Sequence, residues 1–117
     1  MTEFNRDLQI LEKIYTYCCE IELAHKEYHQ DYEVFCSNST YRNAVSLCLL
    51  QIGELANKLT EEFKASHPNI PWRAIRGMRN VVAHEYGHID VATVWETAES
   101  GTVELKEFCA QQIQNNR

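Results

Sequence analysis

The densest group of polar side chains in this sequence lies in residues 76–88, which read RGMRNVVAHEYGH. On a helix that turns about 100° per residue, Arg79 and Tyr86 have nearly the same bearing, and Asn80 and His84 share a neighbouring one. A guanidinium binds phosphate oxygens through a fork of N–H donors, and an imidazole exchanges protons near neutral pH. One side of this segment is therefore predicted to combine anion binding with proton transfer. A solvated helix face beside an incidental histidine is the alternative.

The same part of the chain carries its most basic strip. Arg73 and Arg76 precede Arg79 at helical spacing, whereas the whole sequence has a formal net charge of -6. Because phosphate contacts need a basic surface, this net charge argues against a general nucleic-acid binder. Any function directed at RNA is expected to depend on this local strip.

A competing signature occupies residues 84–88, where HEYGH matches the H-E-x-x-H pattern of zinc metallopeptidases. In that reading His84 and His88 are zinc ligands and Glu85 is the general base. Both imidazoles reach one metal ion only if the helix continues through His88, whereas Gly87 favours a helix end. The sequence therefore favours a site without a metal or another cofactor, with the zinc peptidase as the less favoured alternative.

The elements that must position these residues are helices. Apolar residues at helical spacing predict a first helix from Thr2 to about Gln30. The turn-rich segment Asp31–Thr40 follows, with candidate N-caps at Ser39 and Thr40. A second helix is predicted over Tyr41–Ser66, because the proline-containing segment after it cannot continue a helix.

Pro71 predicts the start of a third helix that runs to about Tyr86 and stops at Gly87. Asp90 is a candidate cap for a fourth helix, in which Gly101 is the expected weak point or kink. Since no segment of the sequence favours a strand, the predicted class is all-α. We expect an antiparallel bundle of about four helices that forms one domain over residues 1–117.

The second helix carries two further candidates, Arg42 and Glu54, for which surface charge or a salt bridge is the default. Beside Glu54, Gly53 stands in mid-helix, where glycine costs about 1 kcal/mol relative to alanine. Such a glycine indicates close packing at a helix–helix or subunit contact. On the first helix Glu22 and His25 share a face with a further histidine, His29. These three side chains could bind a metal, although a solvated polar face is the default.

The cysteine spacing and the lengths of the apolar stretches indicate where in the cell the protein is expected. Five cysteines without a Cys-x-x-Cys spacing fit neither a disulfide framework nor a structural zinc site, so reduced, packed thiols are expected. No apolar stretch reaches the length of about 18 residues that a membrane span needs, and the first residues lack the pattern of a signal peptide. A cytoplasmic protein without membrane contact is the expectation.

The order of short motifs from Tyr41 onward resembles the HepT-like family of the HEPN superfamily of helical toxins. The matching pieces are IGELAN at residues 52–57, IPWR at 70–73, GMRN at 77–80, HEY at 84–86 and VW at 94–95. The family motif is an arginine, four residues, a histidine, one residue and a tyrosine, and Arg79, His84 and Tyr86 fill it without departure. The first thirty residues match only in helical character.

This resemblance implies an endoribonuclease that forms the toxin of a type VII-like toxin–antitoxin pair. The implied partner is a minimal nucleotidyltransferase antitoxin, which silences the toxin by transferring AMP onto the motif tyrosine, here Tyr86. It also implies a homodimer whose active cleft receives Arg79 and His84 from both subunits. Arg73, Arg76 and Asn80, which share the basic strip and its helix face, are the candidates for supporting or RNA-binding contacts.

Metal-independent RNA cleavage needs a base for the 2′-hydroxyl proton, an acid for the leaving oxygen, and positive charge near the phosphorane. One chain offers a single His84 in this motif, so two copies facing across a two-fold axis would supply acid and base together. The rival interpretation is a non-catalytic module, in which the basic strip binds RNA or a nucleotide or docks the transferase. Loss of His84 separates the two, because only an enzyme has cleavage to lose.

Overall fold

The computed structural model describes residues 3–83 and 90–116, and every regular element among them is helical. The helices are α1 (Glu3–Glu27), α2 (Tyr32–Ser37), α3 (Ser39–Asn57), α4 (Glu61–Ser66), α5 (Trp72–Ala83), α6 (Val91–Glu96) and α7 (Thr102–Asn115), with a π-helical turn at Thr97–Gly101 between the last two. The predicted all-α class is confirmed. None of the described helices has the length and apolar composition needed to cross a membrane.

The largest helix–helix interfaces join α3 to α5 and α1 to both α3 and α7. The helix α1 runs antiparallel to α3, since Asp7 bonds Thr60 just beyond the end of α3, while Glu20 lies by Cys48 in its middle. The core is built from apolar side chains of these four helices, with Phe35 and Val94 added from the short ones. The largest of the fully buried side chains are Leu11, Ile14, Cys18, Ile21, Phe35, Tyr41, Val45, Leu49, Ile52, Val94 and Cys109.

The segment Asp31–Thr40, predicted to be a turn, contains the short helix α2. Asp31 caps it, because the Asp31 carboxylate accepts hydrogen bonds from the backbone N–H groups of Glu33 and Val34 at 2.9 and 3.3 Å. The predicted N-caps at Ser39 and Thr40 are wrong. Asn38 caps α3 instead, and its side chain accepts from the Tyr41 N–H at 3.0 Å. Phe35 explains the extra helix, since its fully buried ring anchors α2 to the core.

The second predicted helix, Tyr41–Ser66, is in fact two helices. The helix α3 ends at Asn57, and α4 begins after Thr60, whose hydroxyl oxygen accepts from the Phe63 N–H at 3.1 Å. The buried carboxylate of Asp7 fixes this break, because it accepts from the Thr60 N–H at 3.0 Å and from the Thr60 hydroxyl at 2.7 Å. A contact between residues that far apart in the chain is invisible to local periodicity.

The third and fourth helices begin where they were predicted, within a residue. The Pro71 carbonyl accepts the first helical hydrogen bond of α5 from the Ile75 N–H at 3.0 Å. The predicted continuation to Tyr86 and Gly87 lies outside the described residues. Asp90 caps α6 through the Thr93 N–H at 3.2 Å, and hydrogen bonds from Thr93 hold the pKa of this carboxyl below its usual range.

Gly101, the expected weak point of the fourth helix, closes the π-helical turn that separates α6 from α7. At the first residue of α7, the Thr102 hydroxyl donates to the Ala98 carbonyl of the turn at 2.6 Å. The predicted irregularity at Gly101 is confirmed, and it divides one predicted helix into two.

Candidate active site

Arg79 lies on α5 where this helix approaches α3 most closely. A Cβ atom added to Gly53 of α3 would lie 2.8 Å from the Arg79 backbone nitrogen, 3.1 Å from the Arg79 Cβ and 3.3 Å from the Arg76 carbonyl oxygen. Real Cβ atoms do not approach backbone atoms at 2.8 Å, so this crossing requires glycine. The helix–helix contact that the sequence indicated for Gly53 is confirmed, and the contact is within one chain.

At this crossing the Arg79 guanidinium forms an ion pair with Glu54, in which the Arg79 Nε–H donates to the Glu54 carboxylate. The Arg79 side chain is 56% exposed and the Glu54 side chain 39% exposed, so both groups remain in contact with solvent. The sequence placed Glu54 as surface charge or a salt-bridge partner, and the salt bridge is confirmed. It did not identify Arg79 as the partner.

Three more of the predicted site residues lie along the outward side of α5. Arg73, Arg76 and Asn80 are all exposed, in agreement with a solvent-facing basic strip. Neither Arg73 nor Arg76 has an ion-pair partner among the described residues. The opposite side of α5 is buried, because Trp72, Ile75 and Met78 all belong to the hydrophobic core.

The second half of the predicted site lies outside the described residues. This holds for the two motif residues His84 and Tyr86, and equally for Glu85, Gly87 and His88 of the competing zinc signature. The structure therefore brings Arg79 together with Glu54 and places the other basic residues beside them. It leaves the position of the histidine and the tyrosine as predictions from the sequence.

His25, predicted on a solvated polar face, is instead buried at 7% exposure. Its Nδ1 atom lies 2.5 Å from the Tyr41 hydroxyl, and its ring packs edge-on against the rings of Tyr41 and Trp95. Burial lowers the pKa of His25 and raises the pKa of Tyr41 to about 12, so the neutral forms of both are favoured. An aromatic cluster on other helices buries this end of α1, which local periodicity could not reveal.

The other two residues of the predicted metal-binding face on the first helix are Glu22 and His29. Glu22 accepts a 2.7 Å bond from the Lys106 ammonium of α7, and His29 is exposed. Across residues 3–83 and 90–116, no three histidine, cysteine or acidic side chains lie together in a way that could hold a metal ion.

The cysteines are free, as expected from their spacing. Cys18, Cys48 and Cys109 are buried, and burial raises the pKa of the Cys18 and Cys48 thiols to about 12. A thiol that stays protonated at neutral pH is a poor nucleophile. These three residues therefore act as small core side chains.

Comparison with known proteins identifies the family of this chain. Residues 8–112 match the family described as ribonuclease HepT-like. Two relatives from Methanocaldococcus jannaschii carry provisional names as RNases. One is 39% identical over 77 residues, which cover 66% of each chain, and the other is 37% identical over 79 residues, 68% of this chain and 65% of the relative.

A third relative, from Thermococcus cleftensis, is provisionally named ribonuclease HepT and is 35% identical over 75 residues, 64% of this chain and 68% of the relative. The chain thus spans just under two thirds of the length of the first two relatives. No solved structure matches it. The family match spans nearly all of α1 to α7, so the chain belongs to the ribonuclease HepT-like family and has an all-α, HEPN-like fold.

Proposed function

We propose that this chain is a metal-independent endoribonuclease that works as a homodimer, with Arg79 and His84 as its catalytic residues. The observation that carries the proposal is Arg79 itself, a solvent-facing arginine fixed at a close helix crossing within the motif of a ribonuclease HepT-like chain. The exposed Arg73 and Arg76 beside it support the proposal, because they give an acidic chain a local surface for RNA phosphates. Asn80 lies next to Arg79 and is a candidate for supporting contacts.

The proposed reaction uses the 2′-hydroxyl of the RNA as the nucleophile. His84 of one copy takes the 2′-hydroxyl proton, the 2′-oxygen bonds to phosphorus, and the bond from phosphorus to the 5′-oxygen breaks. His84 of the second copy gives a proton to the departing 5′-oxygen, so a 2′,3′-cyclic phosphate and a 5′-hydroxyl remain. Arg79 stabilises the charge that develops on the phosphorane oxygens.

A second copy has a candidate docking surface on the face of α3 that carries Glu54. Leu47 is 54% exposed, and it precedes Glu54 by two helical turns, so both residues lie on nearly the same face of α3. Leu50, half-buried, lies between them on that face. An exposed leucine on the same helix face as Glu54 supports an apolar contact between two copies. Gly53 no longer supports the dimer, because its close neighbour is α5 of the same chain.

For regulation we propose a toxin–antitoxin pair of the type VII kind in the cytoplasm, with a minimal nucleotidyltransferase as the antitoxin. The Tyr86 hydroxyl would attack the α-phosphorus of ATP and release pyrophosphate, leaving AMP on the tyrosine oxygen. Tyr86 follows Arg79 by seven residues, which puts it on the same bearing if the helix continues. The added phosphate would then compete with RNA for Arg79 or Arg76, and the adenosine would obstruct the cleft.

The test of the enzyme is cleavage of total RNA by the purified chain in the presence of EDTA. We expect discrete fragments ending in cyclic phosphate, no fragments with His84→Ala, and RNA binding by that variant close to wild type. Absence of cleavage by a folded wild-type chain would favour the non-catalytic binding module. Cleavage that stops in EDTA and returns with zinc would favour a metal site at residues 84–88.

The test of regulation is co-expression with a minimal nucleotidyltransferase, followed by mass spectrometry of the chain. We expect a mass increase of one or more AMP groups that maps to Tyr86 and is lost with Tyr86→Phe. Neutralisation of the Phe variant without any adduct would mean that the antitoxin acts by binding alone.

A further inference from the structure

Glu54 lies at the crossing of α3 and α5, where its carboxylate meets the Arg79 guanidinium. The preceding residue, Gly53, brings the backbone of α3 against that of α5 at Arg79, and Glu54 then bonds the guanidinium from the side of α3. The glycine sets the distance between the helices, and the glutamate sets the direction of the arginine side chain. Two consecutive residues thus fix the same partner in two different ways.

The bond uses only part of the guanidinium. The Arg79 Nε–H donates to the Glu54 carboxylate, and this N–H is one of five that an arginine carries. The two terminal amino groups keep four N–H donors, which can still bind a phosphate in a fork. A carboxylate on the Nε side therefore restricts the rotation of the guanidinium while leaving the phosphate-binding donors in place.

The same carboxylate is also a negative charge next to the position where a phosphate would bind. Since both side chains are partly exposed, water screens the pair, and an RNA phosphate can approach Arg79 without first removing Glu54. The charge of Glu54 should nevertheless weaken phosphate binding at Arg79. Glu54 is thus expected to favour the correct orientation of Arg79 at some expense of affinity for RNA.

We propose that Glu54 is the positioning residue of Arg79: it orients the guanidinium for the phosphate being cleaved and, through its charge, lowers the affinity of the site for RNA. This inference rests on the proposed ribonuclease function. It concerns a residue that touches Arg79, not the reacting atoms.

The experiment compares Glu54→Ala and Glu54→Gln with the wild-type chain. Alanine removes both the hydrogen-bond acceptor and the charge, whereas glutamine removes the charge and keeps an acceptor for the Nε–H. We expect kcat to fall roughly tenfold to a hundredfold with alanine, because a misdirected catalytic group costs rates of this order. Glutamine should restore most of kcat. KM should fall about two- to fivefold in both variants, because the competing charge is gone.

The matched control is Glu107→Gln, which removes the same charge from an exposed position on α7. It should leave kcat and KM as in the wild type. If Glu54 only stabilised the fold, its variants would unfold at lower temperature and lose kcat without a fall in KM. An unchanged kcat in Glu54→Ala, or a rise in KM, would overturn the proposal.

Two further measurements do not depend on cleavage. The ¹⁵N spectrum should show an Arg79 Nε–H that exchanges slowly in the wild type and fast in Glu54→Ala. A 2′-O-methyl oligonucleotide, which lacks the hydroxyl needed for cleavage, should bind both Glu54 variants more tightly. If the wild type does not cleave RNA, the proposed function fails, and tighter binding with altered exchange still supports the role of Glu54. Unchanged binding and exchange would refute it.

Discussion

Replacing Gly53 with alanine tests whether the crossing of α3 and α5 is as close as the structure has it. The new Cβ would meet the Arg79 backbone nitrogen at 2.8 Å and the Arg76 carbonyl oxygen at 3.3 Å. These are backbone atoms inside a helix, so neither can rotate away as the end of a side chain would. The two helices must separate by several tenths of an ångström, which disturbs the packing of the buried core residues Ile52 and Ile75 on the same two helices.

Two opposing effects set the size of the change. Overpacking a well-packed region costs about 1–3 kcal/mol. Alanine at a helix interior gains about 1 kcal/mol over glycine, which offsets part of that loss. The expected result is a net loss of about 1 kcal/mol in the free energy of unfolding, or a fall of roughly 5 °C in Tm for a chain of this size.

Gly77→Ala is the matched control, because an added Cβ at Gly77 of α5 meets no atom within 4 Å. That variant has the propensity gain alone and should raise the free energy of unfolding by up to about 1 kcal/mol. Urea unfolding of the three chains measures the difference directly. If Gly53→Ala were stabilised as much as Gly77→Ala, α3 and α5 would not approach as described, and the placement of Arg79 beside Glu54 would lose its basis.

Two further predictions concern the dimer surface and a buried histidine. Leu47→Glu should convert the dimer to a monomer in light scattering at micromolar concentration. The control is Val103→Glu, because Val103 on α7 is 52% exposed and Leu47 is 54% exposed. The control variant should remain dimeric. A dimer that survives Leu47→Glu would place the interface elsewhere. Because the pKa of His25 is lowered in the folded state, the unfolded chain binds its proton more readily, so Tm should fall as pH decreases below 6.5 toward the lowered pKa. His25→Gln should weaken this dependence while His29→Gln keeps it, and equal curves for His25→Gln and wild type would contradict the assignment.

Local signals were sufficient to predict most of the helices. Helical periodicity located α1 to within three residues and the beginnings of α3 and α5 to within two, and the Asp90 cap and the irregularity at Gly101 followed from residue type alone. These features depend on contacts between residues no more than about four apart, which a single sequence displays directly.

Apart from the Asn38 cap of α3, the missed features depend on distant partners. The break before α4 requires the Asp7 carboxylate at Thr60, and the burial of His25 requires Tyr41 and Trp95 from other helices. The pairing of Glu54 with Arg79 belongs to the same class. A signal for it existed in Gly53, because a glycine in mid-helix indicates a close approach of another helix, and a charged residue next to the glycine is then a candidate to pair across that crossing.

The pairing of Arg79 changes how the basic strip should work. Of the three arginines, only Arg79 has an anionic partner within residues 3–83 and 90–116, so its charge contributes little to the field felt by an approaching RNA. Arg73 and Arg76 keep their full charge on the exposed side of α5, and they are the residues that can attract RNA at a distance. In the proposed enzyme, attraction and catalysis are therefore divided between neighbouring arginines. Two of them bring the RNA to the surface, and the third is kept in one orientation for the phosphate that is cleaved.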